Sequence, residues 1–238
     1  MFQTYIIAEA GVNHNGNAEM AFQLVDAAVE AGADAVKFQT FKAESLVTKS
    51  AVKAAYQKKT TDSTETQLEM LKKLELSHDF HYELIKYCQD RKIEFLSSAF
   101  DLESLDFLAN TIKLKTIKIP SSEITNGPLL LEYAKTGCNL ILSTGMATLE
   151  EIEWSLYVLA FGFISDNSIK SSKTAFQQAY FSTEGQKILK DRVTILHCTT
   201  EYPAPPNEIN LNAMQTIRIA FDLKTGYSDH SKGITIPI

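Results

Sequence analysis

Lysines interrupt two apolar runs that otherwise have the composition of buried strands. Residues 35–39 (AVKFQ) and 116–120 (TIKIP) each place a lysine between branched or aromatic side chains. Because side chains alternate between the two faces of a strand, the apolar neighbours point one way and the lysine points the other. We therefore predict two strands that each have one apolar face and one face carrying a cation.

The same mixture of apolar and polar positions recurs in further short runs. They are residues 6–9 (IIAE), 140–143 (LILS), 194–197 (TILH) and 226–230 (GYSDH). Each run carries polar or charged groups at or near its C-terminal end. Burying a lone charge costs several kcal/mol unless it finds a partner, so this many polar strand ends indicate a common anion-binding site.

Helical periodicity separates the strand-like runs. Apolar residues recur at helical spacing within residues 21–29 and stop at Gly32, and similar patterns follow later strands. The predicted strands are residues 6–9, 34–39, 93–97, 116–119, 139–143, 193–198 and 224–228. Strands alternating with helices predict a parallel sheet with right-handed crossovers. Polar chemistry at the strand ends favours an α/β fold of the TIM (β/α)8-barrel type over a doubly wound sheet.

The predicted domain organisation is a single catalytic barrel domain over residues 1–238. Seven strands are recognisable, so we expect an incomplete barrel that is truncated at its C-terminus and lacks the eighth strand. Residues 162–190 mix serine, lysine, glutamine and aromatics without a clean period and are interpreted as a partly helical insertion. We expect this chain to be part of a longer polypeptide, or to need another chain over the open strand edges.

Composition excludes several classes of protein. The chain has 238 residues, is 45% hydrophobic and carries a net charge of −6, which argues against a nucleic-acid surface. Cys88, Cys138 and Cys198 are odd in number and form no CxxC motif, which favours reduced thiols in a cytosolic protein. No signal segment or run of about 20 apolar residues is present. We expect a soluble, cytoplasmic protein with no nucleic-acid or membrane partner.

The strand ends also resemble a known family. The motifs are residues 7–16 (IAEAGVNHNG), 36–40 (VKFQT), 118–123 (KIPSSE), 143–146 (STGM), 197–203 (HCTTEYP) and 226–230 (GYSDH). In this order they resemble the sialic acid synthase family, which includes the N-acetylneuraminate, legionaminate and pseudaminate synthases. The resemblance covers nearly the whole chain apart from residues 162–190.

The resemblance implies an activity. Family members condense phosphoenolpyruvate with an N-acylated hexosamine, such as N-acetylmannosamine, to give a nine-carbon 2-keto sugar acid and phosphate. They use a divalent metal, usually manganese, with magnesium or cobalt as alternatives. A transferase in carbohydrate biosynthesis for cell-surface polysaccharide is implied, with small-molecule substrates and a homodimer in the full-length form. Family members also continue with the last strand, a second metal-binding histidine and an antifreeze-like domain, which we expect to be absent from this chain.

The resemblance further implies roles for individual residues. Phosphoenolpyruvate ligands are implied at Lys37, Lys118, Ser121, Ser143 and Ser228, with Ser98 in place of a threonine. Positions near the sugar or its binding loops are Gln39, Glu123 and Tyr202. Glu9 corresponds to the general acid/base and His230 to a metal ligand. Thr200 stands where some relatives have an asparagine that contacts the sugar, which leaves the sugar open.

Structural roles compete with these functional ones. A strand-end lysine can extend its ammonium to solvent, small hydroxyls often satisfy turn backbone, and Glu9 can serve as an ion-pair partner of a lysine. Tyr202 can pack in its loop, and whether Asp229 orients His230 stays open. We predict a loop-shaping role for His14, either a structural role or an indirect contact to the site for His197, and solvated positions for His78 and His81.

Two other functions remain open. A Schiff-base aldolase would also use a barrel lysine, Lys37 or Lys118. Alternatively, the truncated barrel binds anions or a partner without turnover.

Overall fold

The computed structural model describes residues 4–53, 65–166 and 168–237, and the chain divides into two compact units, Met1–Leu114 and Lys115–Ile238. Both units alternate parallel strands with helices. This alternation confirms the α/β class predicted from the sequence. In the part of the chain that is described, no helix combines the length and the apolar character needed to cross a membrane.

The first unit contains three strands joined by helical crossovers. Its elements are β1 (Ile7–Gly11), α1 (Ala18–Glu30), β2 (Ala35–Thr40), α2 (Ala43–Leu46), α3 (Gln67–Leu74), α4 (His78–Asp90), β3 (Glu94–Ala99), α5 (Leu102–Asp106) and a π-helical turn (Phe107–Thr111). Strand β2 pairs in parallel with β1 on one side and β3 on the other. This register places Glu9 opposite Lys37 and Gln39 opposite Ser98.

Local sequence signals start the helices of this unit. The side chains of Asn17, Ser77 and Asp101 each accept a backbone N–H in the first turn of the helix that follows. Thr66 and Glu69 form a reciprocal capping box at the start of α3. The sequence also predicts a capping box between Thr64 and Gln67, and Thr64 lies outside the described part of the chain.

Apolar packing fixes which face of β2 is turned toward the helices. Val36 and Phe38 are buried in the core together with Val25 and Leu84. The Phe38 ring stacks on Phe95 with 5.8 Å between centroids. The alternation of the strand then directs Lys37 and Gln39 to the opposite face.

The second unit continues the alternation. Its elements are β4 (Thr116–Ile119), a 3-10 turn (Ser121–Glu123), α6 (Gly127–Lys135), β5 (Asn139–Ser143), α7 (Leu149–Ile164), α8 (Lys173–Phe181), α9 (Thr183–Arg192), β6 (Val193–Cys198), a 3-10 turn (Pro206–Glu208), α10 (Asn212–Phe221) and β7 (Lys224–Ser228). The pairs β4–β5, β5–β6 and β6–β7 are all parallel.

Residues 162–190 are largely helical where they are described. They contain the end of α7, all of α8 and most of α9. Aromatic contacts attach α8 to α7: Tyr157 and Tyr180 lie 4.6 Å apart between ring centroids, and Phe161 and Phe176 lie 5.0 Å apart. The segment therefore packs against a crossover helix of its own unit.

Candidate active site

A buried lysine organises the strand ends of the first unit. The Lys37 side chain is 7% exposed, and its Nζ lies 2.6 Å from Oε2 of Glu9. The same Nζ donates to Oγ of Ser98 at 3.4 Å. These contacts follow from the register, because Glu9, Lys37 and Ser98 lie on three adjacent parallel strands. A fixed cation and a hydroxyl are thus held on rigid strands, an arrangement suited to an anion.

Gln39 joins this group through Gly11. The backbone of Gly11 has a φ of +54°, and a Cβ built on it would lie 3.1 Å from Oε1 of Glu9 and 3.6 Å from Nε2 of Gln39. Glu9, Lys37, Gln39 and Ser98 are hereafter called the lysine cluster. The Glu9 side chain is 52% exposed, so its carboxylate faces solvent while it pairs with Lys37. The ion-pair interpretation of Glu9 is therefore confirmed, and it is compatible with a role in proton transfer.

A chain of buried hydrogen bonds links helix α4 to strands β2 and β3, which carry the lysine cluster. Nδ1 of His81 contacts the backbone oxygen of Ser77 at 2.8 Å, and Nε2 lies 2.9 Å from Oγ1 of Thr40. Thr40 in turn contacts Oγ of Ser97 at 2.7 Å. Since the Ser77 carbonyl can only accept, Nδ1 carries the proton, and the neutral ring accepts from Thr40. Burial lowers the pKa of His81 to about 4.

The predicted solvation of His81 is therefore wrong. His81 is fully buried, and its neighbour His78 stacks on Phe107 with 3.6 Å between centroids. A signal was available, because His81 shares a helical stripe with Leu84 and Cys88, both of which are buried. The prediction for His81 considered only that histidine is polar, and it therefore placed the side chain on the solvent-exposed face of α4.

His14 and His197 have structural contacts, as predicted. Nδ1 of His14 accepts the backbone N–H of Gly16 at 3.0 Å, and burial lowers the pKa of this ring. Nε2 of His197 contacts the backbone oxygen of Ile209 at 2.6 Å. Both rings therefore shape the loops that follow their strands.

Hydroxyl groups gather at the strand ends of the second unit. Oγ of Ser121 accepts the backbone N–H of Gly145 at 3.0 Å and lies 3.3 Å from Sγ of Cys198. Ser143 ends β5 and is 1% exposed, yet its Oγ has no hydrogen-bond partner within the described residues. A buried hydroxyl without a partner is unusual in a folded protein and is expected where a ligand or water supplies the missing contact.

His230 lies at the end of β7 with its ring fixed on both sides. Nδ1 contacts the backbone oxygen of Thr199, which can only accept, so Nδ1 carries the proton. Nε2 then presents its lone pair, 3.1 Å from the hydroxyl of Tyr202 and 3.4 Å from Oγ of Ser228. The Tyr202 ring stacks on the imidazole with 4.1 Å between centroids. Tyr202, Ser228 and His230 are hereafter called the histidine cluster.

Asp229 does not hold the His230 ring. Its Oδ1 accepts the hydroxyl of Tyr227 at 3.0 Å and the backbone N–H of Ser231 at 2.9 Å. Burial opposes ionisation of Asp229, but hydrogen bonds from Ser231 and Tyr227, together with the charge of His230, outweigh it and lower the pKa of the carboxyl. Burial and the nearby Asp229 raise the pKa of Tyr227 to about 12. The open question of what orients His230 is answered by the Thr199 carbonyl.

His230 fits a metal as a single protein ligand. An imidazole whose other nitrogen donates to a backbone carbonyl has the tautomer and orientation usual for metal-binding histidines. Across the described ranges, no group of three or more His, Cys, Asp or Glu side chains could hold a metal ion. Nε2 of His230 is thus suited to fill one coordination position of the metal that the resemblance implies.

Lys118 and Glu123 occupy the loop end of β4. Lys118 is half-buried, and the hydroxyl of Tyr133 donates to its backbone oxygen at 3.3 Å. Glu123 accepts Nδ2 of Asn126 at 2.8 Å, so this carboxylate has a local structural contact. Thr200 is exposed in the loop after β6.

In both units, parallel strands alternate with helices and carry polar side chains at their carboxyl ends, a pattern typical of the TIM-barrel class of enzymes. The crystal structure of N-acetylneuraminic acid synthetase from Leptospira borgpetersenii matches with a TM-score of 0.75 and 29% identity over 99% of this chain and 68% of that one. This likeness confirms the predicted barrel-type fold. Residues 24–238 match the NeuB family, and the chain belongs to that family. The predicted sialic acid synthase family is thereby confirmed.

Two relatives are closely similar in sequence. The N,N'-diacetyllegionaminic acid synthase of Campylobacter jejuni is 49% identical over 238 residues, which is 100% of this chain and 64% of the relative. The enzyme of the same name from Legionella pneumophila is 46% identical over 98% of this chain and 59% of its own length. The chain therefore spans about three fifths of the length of these relatives.

Proposed function

We propose that this chain provides the catalytic barrel of a synthase that condenses phosphoenolpyruvate with an N-acylated amino sugar. The products are a nine-carbon 2-keto sugar acid and phosphate. The observation that carries this proposal is the buried Lys37 ammonium, held between Glu9 and Ser98 at the ends of parallel strands. Family membership and the two legionaminic acid synthase relatives support it.

Within the lysine cluster, Lys37 and Ser98 are proposed to bind the phosphoenolpyruvate anion. A charge-assisted hydrogen bond from an ammonium is about twice as strong as a neutral one, and burial reduces competition from water. Further proposed ligands are Lys118 and the hydroxyls of Ser121, Ser143 and Ser228. Ser143 in particular would gain the hydrogen-bond partner that its buried hydroxyl lacks among the described residues.

Glu9 is proposed to transfer protons at the reacting centre. C3 of phosphoenolpyruvate forms a bond to the aldehyde carbon of the open-chain sugar, and the aldehyde oxygen takes up a proton. Water then adds at C2 and loses a proton, and the C2–O bond to phosphate breaks as the new C2 hydroxyl gives up its proton to form the ketone. The carboxylate of Glu9 is suited to the proton at the sugar oxygen or at the water, since it is accessible to solvent yet held by Lys37.

A divalent metal, manganese or alternatively magnesium or cobalt, would be held by Nε2 of His230. When bound, such an ion supplies Lewis-acid polarisation of the sugar carbonyl. Gln39, Glu123 and Tyr202 are proposed to contact the sugar or to shape the loops around it. In support, Tyr202 already stacks on His230. Manganese titration of the parent and of His230→Ala tests the assignment, and equal affinities would contradict it.

The sugar class follows from the relatives' names. Both relatives are named for a product with two N-acetyl groups. Because the condensation leaves acyl groups untouched, we propose a hexose carrying two acetamido groups, with the N-acetylmannosamine type as the competing substrate. The full-length protein is proposed to act as a homodimer. Cys88, Cys138 and Cys198 are in the thiol form and not in disulfides, which supports a reducing, cytoplasmic location.

Phosphate release tests the proposed reaction. Phosphoenolpyruvate is supplied with hexoses bearing one or two acetamido groups, and the 238-residue chain is compared with a version extended to the length of its relatives. We expect phosphate release in the extended protein, fastest with two acetamido groups, and its loss with a chelator. The Lys37 Nζ is engaged by Glu9 and Ser98, which disfavours its attack on a ketone as a Schiff-base nucleophile. Covalent trapping of pyruvate with borohydride, without metal dependence, would instead establish the aldolase.

A further inference from the structure

Cys198 contacts Ser121, which is a proposed phosphoenolpyruvate ligand. It is the last residue of β6, is 5% exposed, and its Sγ lies 3.3 Å from Oγ of Ser121. The same Oγ accepts the backbone N–H of Gly145 at 3.0 Å. Ser121, Gly145 and Cys198 therefore form one hydrogen-bonded group, hereafter called the thiol–serine group.

Close packing restricts movement within this group. A Cβ on Gly145 would lie 3.1 Å from both Oγ of Ser121 and Sγ of Cys198, and 2.7 Å from Cγ2 of Thr200. Only glycine leaves room for the hydroxyl, the thiol and the methyl to converge on this point. The position of the sulfur consequently constrains the position of the Ser121 hydroxyl.

The hydrogen bond from Gly145 occupies one lone pair of the Ser121 oxygen and leaves its O–H to donate. In the contact with Cys198 either atom can be the donor, and we assign the Ser121 O–H as the donor. Among the contacts resolved for the described residues, the acceptor that the geometry offers to this O–H is the sulfur of Cys198. Sulfur is a weak hydrogen-bond acceptor. The Ser121 O–H can therefore turn from the sulfur to a stronger acceptor when one is bound nearby.

We propose that Cys198 is a positioning residue for Ser121. Its sulfur holds the hydroxyl in the ligand-free protein and releases it to donate to an anionic oxygen of phosphoenolpyruvate. This inference rests on the proposed function, in which Ser121 is a phosphoenolpyruvate ligand. No covalent step at the thiol is involved.

The proposal predicts an unusual order of effects for two substitutions. Cys198→Ser keeps the size of the side chain but offers an oxygen, which competes with the ligand for the Ser121 proton. We expect it to weaken phosphoenolpyruvate binding about fivefold, the equivalent of one neutral hydrogen bond. Cys198→Ala offers no acceptor and should change the affinity by about twofold or less. A purely structural role predicts the reverse order, because serine preserves the shape better than alanine.

Isothermal titration of phosphoenolpyruvate measures this order. Cys138→Ser is the matched control, since Cys138 is also buried, lies in the same unit and precedes β5. Ser121→Ala should abolish the difference between cysteine and serine at position 198, because the effect acts through the Ser121 hydroxyl. A fivefold loss that persists in the Ser121→Ala background would overturn the proposal, as would a larger loss in Cys198→Ala than in Cys198→Ser.

A ligand-free measurement separates this inference from the proposed function. The Gly145 amide proton reports on the oxygen of Ser121, because hydrogen bonds in a chain polarise one another. We expect its NMR resonance to move in opposite directions in Cys198→Ser and Cys198→Ala, and to stay unchanged in Cys138→Ser. If the parent protein does not bind phosphoenolpyruvate, the proposed function fails while this test still stands. A Gly145 resonance that is unchanged in Cys198→Ala would overturn the inference even if the serine variant does not fold.

Discussion

Replacing Lys37 by methionine removes the ammonium of the lysine cluster while keeping a flexible side chain of similar length. The side chain is 7% exposed, and methionine is flexible enough to occupy the same space. Its hydrogen bond to Ser98 and its ion pair with Glu9 are both lost. The substitution therefore tests anion binding with little change in packing.

The magnitudes follow from the environment of the two partners. A hydrogen bond to a charged group contributes about 1.5–3 kcal/mol, which corresponds to phosphoenolpyruvate binding about 10- to 150-fold weaker. The Glu9 carboxylate is 52% exposed and stays hydrated without its partner, so the loss of its ion pair costs only about 0–1 kcal/mol of the free energy of unfolding. Ser98 is 1% exposed and its hydroxyl loses the Lys37 contact, which adds about 1–3 kcal/mol. The protein should therefore stay folded while the affinity falls.

Titration calorimetry and urea unfolding measure the two quantities on the same samples. Lys86→Met is a matched control, since Lys86 lies on α4 of the same unit, its side chain is 74% exposed and it pairs with Asp90. We expect parental affinity in this control. A Lys37→Met protein that binds phosphoenolpyruvate as the parent does would refute the assignment of an anion site to the lysine cluster.

Three further predictions concern catalysis and stability. Glu9→Gln should keep ligand affinity but lower turnover about 100-fold, and unchanged phosphate release would reduce Glu9 to an ion-pair partner. His81 has its folded-state pKa depressed to about 4, so the unfolded chain takes up its proton at a higher pH than the native protein. Stability should fall by about 3 kcal/mol as the pH drops from about 6.5 to about 4, and urea unfolding of His81→Gln should lack this component. Gly16→Ala should destabilise the protein by about 1–3 kcal/mol more than Gly32→Ala. Both glycines have φ near +72°, but only at Gly16 would a Cβ meet a backbone oxygen, that of Lys73, at 2.2 Å; equal thermal midpoints would contradict this.

The strand positions were predictable because side-chain alternation is a local property. The predicted segments 116–119, 139–143, 193–198 and 224–228 coincide with the observed strands. At β3 the prediction of residues 93–97 ended too early, since the strand runs from Glu94 to Ala99 and includes Ser98. The last residues of β3 continue the backbone pairing with β2. A local sequence pattern does not show how far such pairing between two strands extends.

Side-chain contacts between distant residues were harder to predict. The sequence left open whether Asp229 orients His230, because the answer depends on where the Thr199 carbonyl lies in another loop. It also misassigned His81, whose partner Thr40 lies 41 residues away on β2. A polar helix residue is buried at low cost only when such a partner exists, and the partner is known only from the fold.

The sequence by itself determined the alternation of strands and helices, the family, and the residue types that stand at the strand ends. These properties follow from local periodicity and from motifs of a few residues. The tertiary structure alone decided that Lys37 meets Ser98 across 61 positions and that Ser121 meets Cys198 across 77. Such pairs depend on the register of parallel strands, which is set by the packing of whole crossover units and not by any single segment.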